Sequence, residues 1–293
     1  MYPGVVVRLS RWTARGGRWF FPYRKLLMTI TSIAIHGAAG RMGRRLVALA
    51  SADPQLKIVA AVDSPTHPEL GRDAGLLAGI ADLGLPLRGS LGSDKPNAVI
   101  DFSVPSAAEE ATAACVERKL PLVMATTGLS EPQKQRLLEA AQIIPIVWSP
   151  SMSMTVNLAM KLVEQAGLTL KQAPGGVDVE IIERHHRMKE DSPSGTALKF
   201  GEIVATTMGQ AVHRHGRQGQ IGKRPVGEIG YHAVRTGDNP GEHTIIFGLL
   251  GETLEITVKA SSRDCYALGA LAAAKFVAKQ QPGIYSMYDV LGI

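Results

Sequence analysis

Three side chains that can carry a proton lie within five residues of one another: His185, His186 and Lys189. An imidazole has an ordinary pKa of about 6.5, so it can donate a proton near neutral pH. A lysine ammonium can stabilise negative charge that develops during a reaction. The histidine pair is flanked by Arg184 and Arg187 and is equally compatible with a solvated turn, so this cluster alone does not establish catalysis.

A helix start follows this cluster directly. Pro193 prevents the helix from beginning earlier, and Ser194 is a residue type that caps helix N-termini. The backbone amides of Gly195 and Thr196 then lack helical partners at the positive end of the helix, where carboxylates bind. An ordinary cap is commoner than a ligand site. Next to three proton carriers, however, the pattern predicts a site that holds an acidic substrate and moves a proton onto it.

A glycine-rich turn near residue 40 is a second, independent feature. Gly37, Gly40 and Gly43 follow a short apolar strand and open an amphipathic helix, although G-x-x-G-x-x-G differs from the commoner G-x-G-x-x-G. Asp63 ends the next apolar segment, where dinucleotide-binding folds place the carboxylate that binds the ribose. We therefore predict nucleotide binding here, and we expect His36 to be a packed residue rather than a ligand.

Strands and helices alternate from Met28 to about residue 153. We expect strands at 33–36, 57–63, 98–102, 122–125 and 144–148, and helices at 107–118 and 131–141. This alternation predicts an α/β protein with a Rossmann-type, doubly wound parallel sheet that binds its ligand at the carboxyl ends of the strands. The turns at Phe102 and at 126–128 would then border the cofactor.

The pattern changes in the second half of the chain. A helix at 155–167 leads to a strand at 177–183 that ends at the histidine pair, and further strands are expected at 228–236, 243–249 and 252–260. Glycine-rich turns between them favour an α+β substrate domain with a mostly antiparallel sheet. An alanine-rich helix at 264–279 is expected to return to the first domain. The predicted domains are therefore 28–153, completed by 264–293, and 154–263.

The composition is typical of a cytoplasmic enzyme. The chain has 293 residues, of which 45% are hydrophobic, and no apolar run approaches the roughly 18–20 residues needed to cross a membrane. Cys115 and Cys265 are too few for a disulfide framework and indicate a reducing compartment. No histidine or cysteine has metal-ligand spacing, so we predict no metal. Because no apolar run is long enough to cross a membrane, we also predict no membrane partner.

The positive charge has a local origin. Residues 1–27 contain six basic residues and no acidic residue, which equals the net charge of +6 for the whole chain. The remainder is formally neutral, so the excess charge does not indicate a nucleic-acid partner. Such a segment could be a targeting presequence, but it has few hydroxyl residues. We prefer an upstream start codon as its origin and expect 1–27 to be an extension outside the fold.

The sequence from Thr31 to Gly292 resembles the 4-hydroxy-tetrahydrodipicolinate reductase (dihydrodipicolinate reductase) family of lysine biosynthesis through diaminopimelate. The resemblance is carried by residues 37–43, 126–128, 185–197, 241–244, 259–263 and 288–291. The most specific motif is His-His-x-x-Lys-x-Asp-x-Pro-Ser-Gly-Thr-Ala. The resemblance implies a Rossmann domain, a substrate domain whose sheet builds a homotetramer, and hydride transfer from NADH or NADPH to a cyclic dicarboxylated imine.

The resemblance also implies roles for individual residues. His185 matches the proton donor and acceptor of the family, and Lys189 matches its proton donor. The residues that match substrate-binding positions of the family are His186, Gly195 and Thr196. Ser194, the helix N-cap, directly precedes Gly195. The residues that match the cofactor site are Gly37, Ala38, Ala39, Gly40, Arg41, Met42, Asp63, Ala125, Thr126, Thr127, Ser149, Pro150, Ser151 and Met152.

Four positions depart from the usual family pattern. Ala125 and Thr155 replace glycine, Ser151 replaces asparagine and Val258 replaces histidine. The substitutions at 125 and 151 affect how the nicotinamide would be positioned. None of the four is a proposed proton carrier.

The cofactor preference can be predicted from the end of the second strand. Asp63 accepts hydrogen bonds from a ribose diol but repels a 2′-phosphate, and Ser64 provides no guanidinium to compensate. Arg41 is the nearest basic residue that could offset the repulsion. We therefore expect NADH to be favoured.

Two alternative functions stay open. One is another nicotinamide dehydrogenase of the same architecture, and the other is a non-catalytic dinucleotide-binding sensor. The motif from His185 to Lys189 argues against both.

Overall fold

The structure is a computed structural model that describes residues 30–293. The extension expected at 1–27 lies outside the described residues. The described chain forms, in order, β1 (Thr31–His36), α1 (Arg41–Ser51), β2 (Leu56–Val62), α2 (Ala74–Leu77), β3 (Leu87–Arg88), β4 (Ala98–Asp101), α3 (Pro105–Glu117), β5 (Leu122–Met124), α4 (Glu131–Ala140), β6 (Pro145–Trp148), α5 (Met154–Leu170), β7 (Asp178–His185), α6 (Gly195–Met208), β8 (Val212–His215), β9 (Glu228–Arg235), β10 (Glu242–Leu249), β11 (Glu252–Lys259), α7 (Asp264–Val277), β12 (Gly283–Tyr285) and α8 (Met287–Leu291).

The first sheet is parallel and doubly wound, as the sequence predicts. Its seven strands lie in the order β12-β6-β5-β4-β1-β2-β3, and every neighbouring pair is parallel. The chain leaves β1 toward β2 and β3 on one side and later fills the other side from β4 outward. The strand order therefore reverses between β1 and β4, and such a reversal opens a ligand-binding crevice at the carboxyl ends of the strands.

Helices cover both faces of this sheet, so the middle residues of its central strands are apolar and buried. Ile33 and Ile35 pack with residues of α1 and α7, whereas Ala34 faces the side covered by α3 and α4. Each fully buried isoleucine side chain contributes about 1.5–3 kcal/mol relative to an exposed one. This burial fixes the carboxyl ends of β1 and β2. The glycine-rich turn follows β1, and Asp63 follows β2.

The second sheet is mixed rather than mostly antiparallel. Its order is β11-β10-β7-β9-β8, in which β10 pairs antiparallel with β7 and β11, but β9 pairs parallel with β7 and β8. In the chain, β7 is connected to β9 through α6 and an unpredicted strand, β8, and β8 is connected to β9 through residues 216–227. A crossover connection of this length returns the chain in the same direction.

One face of the second sheet is covered by α5 and α6. Along β7, buried and more exposed residues alternate, and Ile181 packs with Val163 of α5 and Phe200 of α6. Successive strand residues point to opposite faces, so the other face, with Ile182 on it, is open in the single chain. Within the described chain, helix α7 returns to pack on the first sheet.

Five short elements were not predicted: α2, β3, β8, β12 and α8. All five have two to five residues, too few for a periodic pattern, and all four residues of β8 are exposed. Among the described residues, no helix combines the length and the apolar character that crossing a membrane requires.

Candidate active site

The predicted proton carrier His185 lies at the carboxyl end of β7, on the covered face of the sheet. Because strand residues two apart share a face, Val179, Ile181, Glu183 and His185 all point inward, and all four are buried. The Nδ1 atom of His185 lies 2.5 Å from Oε2 of Glu183. A carboxylate can only accept here, so Nδ1 donates the hydrogen bond and Nε2 is the nitrogen left for a substrate.

Glu183 connects this histidine to two other parts of the site. Arg235, which ends β9 opposite His185 in the register, donates from both terminal nitrogens to the two carboxylate oxygens at 2.7 and 2.8 Å. The backbone amide of Ser194 donates to Oε1 at 3.1 Å. Burial acts to raise the pKa of Glu183, but the hydrogen bonds from Arg235 and His185 outweigh it and lower the pKa. Glu183 is therefore a fixed negative charge.

The predicted helix start is confirmed. Ser194 is the N-cap of α6, and its hydroxyl oxygen accepts the amide of Ala197 at 3.2 Å. The amides of Gly195 and Thr196 come first in the helix and have no intrahelical partner. Gly195 is exposed and Thr196 half-buried, so a ligand can approach this end.

A second buried histidine, His243, contacts the N-cap residue Ser194. The Nε2 atom of His243 lies 3.0 Å from the hydroxyl of Ser194, and the ring packs edge-on against that of His185 with centroids 5.2 Å apart. Burial lowers the pKa of His243 to about 4, so its imidazole is neutral at neutral pH. Burial also lowers the pKa of His185, although Glu183 opposes the shift.

Gly241 keeps the reactive side of His185 open. Its φ of +149° is unfavourable for other residues, and a Cβ atom there would lie 2.8 Å from Nε2 of His185. A side chain at this position would therefore occupy the space next to Nε2 of His185.

His186 and Lys189 lie on the turn that follows β7. The amide of His186 donates to Asn239 O, and its Nδ1 is buried without a hydrogen-bond partner. A buried unpaired nitrogen is costly, and a substrate oxygen would satisfy it. The ammonium of Lys189 donates to both carboxylate oxygens of Asp191 at 2.7 and 2.9 Å. Because Asp191 is exposed, a substrate carboxylate could take its place as the partner of the Lys189 ammonium.

The glycine-rich turn has the close packing that its sequence predicts. Gly37 has a φ of +78°, and a Cβ atom there would lie 2.6 Å from the carbonyl oxygen of Phe102. Gly40 is the N-cap of α1 and offers no side chain, so the helix start is open. Absence of side chains at a helix N-terminus allows a phosphate to approach the backbone amides.

Asp63 lies directly after β2, beside this turn. Its Oδ2 accepts the amide of Ala39 at 2.9 Å, and its Oδ1 accepts the amide of Ser64 at 2.9 Å. The carboxylate therefore holds the turn in place while keeping lone pairs for a ligand. A cavity of about 650 Å³ extends from the turn along α3 and is lined in part by Gly37, Gly40, Asp63 and Phe102.

The other residues assigned to the cofactor are not among those that line this cavity. Thr126 is buried and donates to Asp101, and Ser149 accepts the amide of Met287. The hydroxyl of Ser151 accepts the amide of Ser153. Further residues assigned to the cofactor that are outside the lining are Ala38, Ala39, Arg41, Met42, Ala125, Thr127, Pro150 and Met152.

Two protein-family models match the chain. The one described as dihydrodipicolinate reductase, N-terminus, matches residues 31–152, and the one described as dihydrodipicolinate reductase, C-terminus, matches residues 155–291. The chain belongs to the dihydrodipicolinate reductase family. Family membership makes it an NAD(P)H-dependent oxidoreductase and agrees with the dinucleotide-binding sheet described above.

Individual relatives agree with this assignment. A 4-hydroxy-tetrahydrodipicolinate reductase from Rhodopirellula baltica is 56% identical over 269 residues, which cover 89% of this chain and 96% of that protein. The corresponding enzyme from Methylococcus capsulatus is 44% identical over 264 residues, or 88% and 97% of the two chains. A dipicolinate-bound dihydrodipicolinate reductase from Paenisporosarcina sp. TG-14 has the same fold, with a TM-score of 0.71 at 23% identity over 89% of this chain and 99% of that one.

Sequence reasoning missed several residues of this site. Glu183, Arg235, Gly241 and His243 surround the predicted proton carrier of this reductase, but none was assigned a role. The spacing of two between Glu183 and His185 on a predicted strand could have revealed their contact. The contribution of Arg235 depends on the parallel pairing of β7 with β9, which no local pattern indicates.

Proposed function

We propose that the site around His185 and the start of α6 reduces 4-hydroxy-tetrahydrodipicolinate to tetrahydrodipicolinate with NADH or NADPH. The observation that carries the proposal is the pairing of His185 with buried Glu183, whose carboxylate also holds the amide of the helix cap Ser194. In this proposal, the carboxylate of Glu183 positions both the proton donor and the helix end that binds the anion. The family relationship supplies the substrate class.

The acidic substrate fits the charges of the site. One carboxylate would accept the amides of Gly195 and Thr196, where the helix end favours negative charge. The other would take the ammonium of Lys189 from Asp191, and the unpaired Nδ1 of His186 can donate to the substrate. The name of the Paenisporosarcina relative, which includes bound dipicolinate, supports a small dicarboxylate as ligand.

The protonation step follows from the state of His185. When bound, the reduced nicotinamide supplies the hydride. The 4-hydroxyl group leaves with a ring proton as water, which gives a carbon–carbon double bond conjugated with the imine. Adding a hydride to that conjugated system develops negative charge that must be protonated. Because Nδ1 of His185 donates to Glu183, the proton that the imidazolium form of His185 gives to the substrate is the one on Nε2. Lys189 stabilises the developing charge from the other side of the turn.

The residues around the glycine-rich turn fit a dinucleotide. Gly37 leaves no room for a side chain, and the open start of α1 suits a pyrophosphate. We propose that residues 37–42 hold the pyrophosphate, Asp63 the ribose, and Phe102, residues 125–127 and residues 149–152 the nicotinamide side. The Asp63 carboxylate supports a preference for NADH over NADPH.

Residues 154–263 are proposed to form the substrate and assembly domain, and residues 28–153 with 264–293 the cofactor domain. The open face of the second sheet carries exposed Ile182, Val234 and Leu254. We propose that this face assembles the homotetramer expected from the family.

A coupled assay tests the reductase activity. Pyruvate and aspartate semialdehyde are condensed by the preceding synthase, and NADH oxidation is followed by its loss of absorbance after this protein is added. Turnover above a synthase-only control is expected, with competitive inhibition by dipicolinate. Turnover that does not exceed that control would rule out the proposed activity.

A further inference from the structure

His36 forms a hydrogen bond with buried Asp101 at the edge of the cavity beside the glycine-rich turn. The Nδ1 atom of this histidine, the last residue of β1, lies 2.6 Å from Oδ1 of Asp101, the last residue of β4. The two residues are opposite each other in the parallel register. Asp101 is fully buried, whereas the side chain of His36 is 19% exposed. The pair therefore presents its imidazole, and not its carboxylate, to the outside.

Asp101 is fixed from its other side as well. Its Oδ2 accepts the hydroxyl of Thr126 at 2.7 Å, and the same hydroxyl oxygen accepts the amide of Ser103. These contacts join the ends of three neighbouring strands, β1, β4 and β5. A carboxylate held in this way can only accept from His36, so Nδ1 carries a hydrogen and Nε2 is the nitrogen left for a ligand.

The ring of His36 lines the same cavity as Gly37, Gly40 and Asp63. The charged groups that face it are Asp101 from β4, Asp63 after β2 and Glu110 from α3. Burial acts to lower the pKa of His36, but the hydrogen bond and charge of Asp101 outweigh it, and the pKa is raised. The raised pKa favours the protonated ring, which lies beside the turn where a pyrophosphate would bind. The sequence indicated only a packed residue.

We propose that His36 is a cofactor-binding residue that donates a hydrogen bond from Nε2 to a phosphate oxygen of the dinucleotide, with Asp101 and Thr126 holding its ring in place. The inference rests on the proposed use of a nicotinamide cofactor. It adds an imidazole from the end of β1 to the proposed pyrophosphate site at residues 37–42. Donation to a phosphate is a charge-assisted hydrogen bond, which is stronger than one between neutral groups.

The test compares His36→Asn with a matched control, His232→Asn. His232 also pairs with a carboxylate, that of Glu180 at 2.8 Å, but it lies on the second sheet. Dissociation constants for NADH, ADP and adenosine are measured by calorimetry at pH 7, with the melting temperature of each variant. His36→Asn is expected to weaken NADH and ADP about tenfold and to leave adenosine unchanged. His232→Asn is expected to change none of the three.

Several outcomes would overturn the proposal. Unchanged NADH affinity in a folded His36→Asn protein would do so, as would an equal loss for ADP and adenosine, which would place His36 on the nucleoside. If His36→Asn does not fold, the pKa of the His36 ring is measured by NMR in the wild-type protein with and without NADH. A rise on binding is expected, and no rise overturns the proposal. Failure of wild-type protein to bind NADH would instead contradict the proposed function itself.

Discussion

Nδ1 of His185 lies 2.5 Å from the buried carboxylate of Glu183, two residues earlier on the same strand. In the proposed mechanism, this contact would select the ring nitrogen that faces the substrate and keep a negative charge beside the proton donor. Arg235 holds the carboxylate with two hydrogen bonds, so the contact does not depend on a mobile side chain. Glu183 is therefore expected to affect proton transfer without touching the substrate.

Replacing Glu183 by Gln should change the pH dependence of kcat. Burial lowers the pKa of His185 and Glu183 acts to raise it, so removing the negative charge lowers it further. The proton donor must be protonated, and activity is lost as pH rises through its pKa. The alkaline limb of the kcat profile should therefore move to lower pH. The control is Glu180→Gln, on the opposite face of β7. Identical profiles for wild type and Glu183→Gln would exclude this role.

Replacing either proton carrier should damage chemistry more than folding. Loss of a general acid typically reduces the rate by about 10²–10⁴, so His185→Gln and Lys189→Ala should each lower kcat by that order and leave NADH affinity nearly unchanged. The double variant should lose less than the product of the single losses, because both groups act on one protonation. If each folded single variant retained near-normal kcat, the turn would have no catalytic role.

Local patterns explain why much of the fold could be predicted from the sequence. The glycine-rich turn, the alternating strands and the Pro193-Ser194 helix start are encoded by adjacent residues, and each was found near its predicted place. Family-type motifs also identified His185 and Lys189 as candidates. These motifs record which side chains are present but not which groups they contact.

Contacts between distant residues could not be predicted in this way. Arg235 reaches Glu183 only because β9 pairs parallel with β7, and the glycine-rich turns suggested antiparallel strands instead. His36 and Asp101 are 65 residues apart and meet because β1 and β4 are neighbours. Sheet order depends on packing between helices and strands far apart in the chain, which periodicity does not report.

Thr196→Val should weaken substrate binding more than it slows the reaction. Thr196 is in the first turn of α6, where a substrate carboxylate would bind, and valine removes the hydroxyl while keeping the shape. An increase in KM for the dicarboxylate with a smaller change in kcat is expected. Thr206→Val is the control, because this exposed hydroxyl bonds only to Glu202 O within the same helix. An equal effect of both substitutions would show that the change acts through helix stability alone.

Cofactor preference should depend on the charge of Asp63. A 2′-phosphate next to this carboxylate is repelled, so kcat/KM should be higher with NADH than with NADPH. Asp63→Asn removes the charge and should raise the ratio of the NADPH value to the NADH value by about tenfold. Because Asp63 also accepts the amides of Ala39 and Ser64, some loss with both cofactors is expected. An advantage of about tenfold or more for NADPH in the wild-type protein would refute the argument.

Gly241→Ala should separate steric access to His185 from backbone strain. The added Cβ would lie 2.8 Å from Nε2 of His185, and the φ of +149° is unfavourable for alanine. Gly237 provides the matched control, since its φ is also positive, at +56°, but a Cβ there meets no atom within 4 Å. Both variants should lose about 1–3 kcal/mol of stability through strain.

The two glycine variants should differ in turnover. Only Gly241→Ala blocks the nitrogen that donates the proton, so its kcat should fall strongly, while Gly237→Ala keeps a kcat near that of the wild type. Melting temperature and kcat measured on the same preparations test this difference. If both variants lost stability and kcat in parallel, glycine at position 241 would be needed only for the backbone conformation. Nε2 of His185 would then not be the atom that faces the substrate.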